Sequence, residues 1–275
     1  MKKLFGAFVL LPIFLFAQTY GALGPSKVFL NSFEALNVFP ATVNGFSNFI
    51  TFSTGEYIDP VGILYKWNEK LGFAVYLNDS SANFTAAFSK SFWDAGLRVR
   101  WSPTDKMVIP SVSHVTPFAR FDVSSFIDIS EKELKNVNLR ATKELTEQKI
   151  LGFFASVEKK RFYSLLSFMI APTQNRIFFA GIGATRVTGN TSKFITLGAY
   201  FPVTDWLYFK LSGDYVSDGS TKINKRLGVN LQYQDFLVSF TLSPDVVQSA
   251  PYFLTGESQS NPIISTTILY RFHTF

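Results

Sequence analysis

The sequence predicts an all-β protein, an antiparallel up-and-down barrel that closes on itself within a membrane. Three observations carry that reading. Apolar and polar residues alternate in runs of strand length, an apolar N-terminal run follows two lysines, and no later stretch is a credible transmembrane helix. Successive strand side chains point to opposite faces, so Leu207, Phe209, Leu211, Gly213 and Tyr215 share one face. Tyr208, Lys210, Ser212 and Asp214 share the other. The pattern recurs from Trp93 to Trp101, from Arg226 to Tyr233 and from Ile264 to Phe272. Hydrocarbon tolerates only structures that satisfy their own backbone hydrogen bonds, so strands placed in it must form a closed barrel.

Lys2 and Lys3 precede an apolar run from Leu4 to Phe16, and Ala17 offers a small residue at a cleavage point before Gln18. The run is shorter than the roughly 20 residues of a spanning helix. Residues 1–17 are therefore expected to be a cleaved signal peptide, with a cut after Ala22 as the alternative. Residues 18–44 are read as a first strand or an inward-folded plug, and residues 45–275 as the barrel. Charged residues make up 17% of the chain, below the roughly 25% of ordinary soluble domains. Phenylalanine occurs 31 times. Loss of Lys2 and Lys3 lowers the net charge from +6 to +4, mildly basic and not polycationic. Lys159-Lys160-Arg161 is too short a basic run to argue for nucleic acid. The absence of cysteine excludes thiolate metal sites, cysteine nucleophiles and a disulfide scaffold.

Strands are expected at 45–53, 61–67, 71–77, 83–88 and 92–101. After an ambiguous middle they follow at 150–157, 162–170, 176–187, 194–201, 206–215, 226–233, 236–242 and 264–272. Turn formers such as Asn78-Asp79-Ser80-Ser81, Gly189-Asn190-Thr191 and Ser217-Asp218-Gly219-Ser220 separate them. The charge-rich stretch 129–149 reads two ways. Leu134, Val137, Ala141 and Leu145 have helical spacing, whereas Val137, Leu139 and Ala141 alternate as a strand would. A solvated loop or strand end is preferred there to a functional helix. The count then lies between 12 and 16, and about 14 strands are expected, because single-chain bacterial barrels have even numbers. Two turns look alike, Trp101-Ser102-Pro103-Thr104-Asp105 and Phe201-Pro202-Val203-Thr204-Asp205. Both are expected at one end, together with Gln234-Asp235, while 217–225 and 243–261 form longer loops at the other.

Trp93 and Trp101 lie on one apolar face with Ala95, Leu97 and Val99 between them. Their separation spans roughly 26 Å of strand, or about 20 Å along the membrane normal at the usual tilt. An apolar band of about 25 Å flanked by aromatic girdles has nearly that height. Tyr215, Tyr233 and Tyr270 are further girdle candidates. The opposite faces carry Arg98, Arg100, Lys210, Arg226 and Arg271 against Asp94 and Asp214. Arg98, Arg100, Lys210, Asp214, Arg226 and Arg271 are the pore-lining candidates, and a lumen with that balance attracts anions. In the alternative these charges pair with one another and only fill the interior. The C-terminal strand signal is the row Ile268, Tyr270 and Phe272, since Phe275 falls in phase with His273 and Arg271.

This pattern resembles a bacterial outer-membrane β-barrel of the porin-like kind over nearly the whole mature chain, though no named subfamily. The resemblance implies the outer membrane as location, its lipids and assembly machinery as partners, and passive passage of small solutes. It leaves self-association open. No enzyme activity, cofactor or metal is expected. His114 lies near Ser111 and Ser113, but no orienting group or oxyanion site is marked. Gly181 and Gly183 sit inside a strand instead of before a helix, so they form no nucleotide loop. Three functions remain: a diffusion pore with weak anion preference, a closed structural or anchoring barrel, and a secreted soluble β-protein that binds glycans.

Overall fold

The computed structural model describes residues 33–54, 61–78, 81–173, 176–217, 221–242 and 264–272. The expected signal peptide, the 243–261 loop and the tail beyond Phe272 lie outside them. Sixteen strands are described. The first five are β1 (Phe49–Thr54), β2 (Val61–Lys66), β3 (Leu71–Asn78), β4 (Ser81–Lys90) and β5 (Trp93–Trp101). The middle of the chain forms β6 (Lys106–Val115), β7 (Ala119–Asp128), β8 (Glu133–Thr146) and β9 (Lys149–Glu158). Then come β10 (Arg161–Thr173), β11 (Arg176–Val187), β12 (Asn190–Pro202) and β13 (Leu207–Ser217). The chain closes with β14 (Thr221–Tyr233), β15 (Phe236–Leu242) and β16 (Ile264–Arg271).

Each strand pairs antiparallel with its sequence neighbours, and β1 pairs with β16, so the sheet is a closed barrel. The count is sixteen, not fourteen. The difference lies in the middle, where residues 102–149 supply three strands, β6, β7 and β8, and 129–149 is neither a loop nor a helix. It supplies the 14-residue strand β8. A register shift at Phe126/Ile127 leaves Lys135 as the extra residue on β8. A bulge flips the phase of the side chains that follow. Leu134 and Leu139 are therefore both exposed although an odd number of positions separates them. The helical spacing of Leu134, Val137, Ala141 and Leu145 is one outward row with a bulge in it.

Two further expectations change. Residues 221–225 belong to β14 and pair with β13 as far as Ser217 opposite Thr221, so 217–225 is no long loop. The two similar turns also lie at opposite ends. Strand direction alternates round the barrel, so the turn after β5 (102–105) is at the far end from the chain's entry into β1. The turns after β12 (203–206) and β14 (234–235) are at the entry end. Local chemistry explains why they look alike. Ser102 Oγ accepts from the Asp105 amide at 2.9 Å, and Thr204 Oγ1 accepts from the Leu207 amide at 3.1 Å. Such hydroxyl-capped turns specify how the chain reverses and carry no information about which end it occupies.

The faces follow the alternation. On β13, Tyr208, Lys210, Ser212 and Asp214 are buried, while Leu211 and Tyr215 are 43% and 46% exposed. Large apolar residues are exposed on the outside all round, among them Leu97, Phe121, Leu166, Phe178, Ile195 and Ile268. Ahead of β1, two 3-10 turns (Phe33–Asn37 and Pro40–Gly45) pack against the inner wall. Leu36, Val43 and Phe46 join Phe49, Leu64, Tyr76, Leu237 and Leu269 in one buried cluster. Part of the interior is thus an apolar core and not a polar lumen.

Candidate functional site

The site is the inside of the barrel, and strand register lays it out in rows. One row runs through Asp94, Ser113, Asp122, Arg140, Phe154 and Leu165 on β5 to β10. Its charged members form a chain. Arg120 reaches Asp94 at 3.3 Å and Asp122 at 2.8 Å, and Arg140 Nε donates to the other Asp122 oxygen at 2.6 Å. Ser113 Oγ also donates to Asp122. The Arg140 guanidinium lies 4.6 Å from the ring centre of Phe39, on the inward segment, so a cation–π contact covers its face. Phe39 in turn meets Phe154 edge-on, and Tyr163 stacks on Phe194 at 5.5 Å.

The pore-lining candidates fall in different places. Arg98 is 5% exposed and donates to Asn83 at 3.2 Å and to Asn37 of the inward segment, with Tyr76 beneath it. Arg100 is half-buried and 3.9 Å from Asp105 at the far end. Lys210 is fully buried and donates to Ser239 Oγ at 2.9 Å, and Asp214 is buried on the same strand face. Arg271 is half-buried opposite Phe49. Arg226 pairs with Ser212 in the ladder, and its side chain lies outside the described residues. Arg120, Asp122 and Arg140, joined by ion pairs among the described residues, were not among the candidates. Arg140 lies on β8, the strand that carries the bulge, and Arg120 and Asp122 lie on β7, which was not read as a strand.

The girdle candidates are all exposed, from 39% for Tyr270 to 70% for Tyr233. Strand direction places Trp93, Tyr233 and Tyr270 at the entry end and Trp101 and Tyr215 at the far end. Lys106 sits over Trp101 at 4.1 Å, and Phe236 lies against Tyr270 at 4.6 Å. Ile268 shares the outward row with Tyr270, whereas Phe272 is half-buried. Phe272 helps line a cavity of about 500 Å³ at the entry end with Asn44, Asn48, Lys66, Trp67 and Glu69. His114 points outward against Trp93, on the face opposite Ser111 and Ser113, so no Ser–His pair forms. Gly183 instead lies beneath the ring of Phe194, as close packing requires.

No protein-family model matches the chain, and no curated protein sequence does. Solved structures do. A multiply substituted variant of Rhodopseudomonas blastica porin superposes with a TM-score of 0.52, over 82% of this chain and 99% of that chain, at 7% identity. A second variant of the same porin gives 0.51 at 8% identity with the same coverage. The fold is porin-like. At such identity the shared property is the architecture, and the residues inside this porin-like barrel must be read for themselves.

Proposed function

We propose that the protein is an outer-membrane channel of the porin kind, passing small solutes by passive diffusion with a weak preference for anions. One observation carries this reading: a closed barrel with apolar side chains outside all round and ionic groups held inside. That is the distribution a strand protein needs in hydrocarbon. Aromatic residues at both ends fit interfacial girdles, and residues 1–17 fit an export signal. The apolar exterior speaks against a secreted soluble protein. Weak selectivity follows from pairing, because much of the interior charge on β5 to β8 is compensated by Asp94 and Asp122.

A closed structural barrel is the second reading, and the inward segment ahead of β1 favours it. Single-channel recording of the refolded mature protein in a planar bilayer under a salt gradient separates the two. Discrete steps with a reversal potential on the anion side support the channel. Neutralising Arg100, which is only half-buried, should then move the reversal potential toward cations. Inserted, folded barrels that stay silent would leave the structural reading.

A further inference from the structure

Residues 33–46 do more than fill space: they lie on a floor built to receive them. The register aligns Gly72, Ala87, Gly96 and Ser111 as one inward row across β3 to β6. All four are small, so the barrel wall is shallow there and backbone can lie directly on it. A Cβ at Gly96 would sit 2.5 Å from the Pro40 carbonyl carbon and closer still to the Ala41 nitrogen. A Cβ at Gly72 would sit 2.9 Å from Val43 Cγ1. Polar groups fix the position. The Ala41 amide donates to Ser111 Oγ at 2.6 Å, and Asn44 Nδ2 donates to Ser89 Oγ at 2.8 Å and to the Lys70 carbonyl at 3.0 Å. Phe39, Ala41 and Val43 have no exposed surface.

The segment also lies over the interior cations. Asn37 accepts from Arg98, and Phe39 covers the face of Arg140. We propose that residues 33–46 are the constriction of the channel: a built-in plug, seated on Gly72, Ala87, Gly96 and Ser111, that limits the size of passing solutes and masks Arg98 and Arg140 from passing ions. This rests on the channel reading. It assigns two properties to one element, because withdrawing the segment would widen the bore and uncover positive charge together.

Three proteins in planar bilayers test it, each first shown to be a folded barrel by resistance to cold SDS. Deletion of residues 33–44 should raise single-channel conductance about threefold or more, since conductance follows the cross-section of the narrowest part. It should also move the reversal potential further toward anions. Gly96→Leu, whose side chain would occupy the position of the Pro40–Ala41 peptide, should shift both in the same direction without any deletion. The third protein uses the absence of cysteine from the chain. Ala41→Cys combined with Ser111→Cys should lose both thiols on oxidation and keep the unsubstituted conductance. Conductance and selectivity equal to the unsubstituted protein in both the deletion and Gly96→Leu would overturn the plug and leave the channel standing. Thiols that persist after oxidation would overturn the seat. Silence in all three proteins would overturn the channel reading itself, and the plug's role with it.

Discussion

One carboxylate, Asp122, holds Arg120, Arg140 and Ser113 together on the inner wall. Its side chain is 0% exposed and that of Arg140 only 1%, so water screens neither. Removing one partner of such a pair strands the other, which is costlier than losing a surface ion pair. Asp122→Asn keeps the shape and removes the charge, and it should destabilise the barrel by about 3 kcal/mol. Asp94→Asn, at the more open end of the same chain with 18% side-chain exposure, should cost no more than about 1 kcal/mol. Guanidinium unfolding in lipid vesicles measures both. Equal losses would mean that burial does not set the strength of this network.

At the scale of the strand, alternation was legible along most of the chain, though β6 and β7 were not read as strands. On β13 the sequence separates Tyr208, Lys210, Ser212 and Asp214 from Leu211 and Tyr215, and burial agrees residue by residue. The pattern failed on β8, because one bulge shifts the phase at Lys135 and hides the strand that carries Arg140. The segment 33–46 was undecidable for another reason: its short 3-10 turns impose no period of two, and what holds them is contact with strands distant in sequence. Turn chemistry was legible as reversal and silent about place. That distinction yields a test with epitope insertions after Pro103 and after Val203. The two turns look alike in sequence but close opposite ends of the barrel. In intact cells carrying the barrel in their outer membrane, antibody should reach the insertion after Pro103, at the end where porin-like barrels expose their loops. The insertion after Val203 should be labelled only after permeabilisation. Labelling of both from the same side would contradict the strand order.

Closure belongs to no single strand, and one ladder can miss a rung: β6 carries Pro110, where its pairing with β7 is interrupted and the barrel stays closed. In an open sheet an edge strand can lose a backbone donor at small cost, but a closed barrel has no edge. β16 shows this most directly, because it is bonded on one side to β15 and on the other to the first strand of the chain. Thr267 sits within it, opposite Ser239 and Ser53, and its hydroxyl meets Ser53 Oγ at 3.0 Å. Thr267→Pro removes an amide from a ladder and sets a ring against its neighbour, whereas Thr267→Val keeps the backbone and loses only the hydroxyl contact. The valine protein should therefore remain compact in cold SDS and shift in mobility only on boiling. The proline protein should lose its compact mobility at a lower temperature than the valine protein, because a missing amide at the seam leaves backbone unsatisfied in hydrocarbon. Equal melting temperatures in SDS for the two proteins would mean that the seam tolerates a missing amide as β6 does at Pro110.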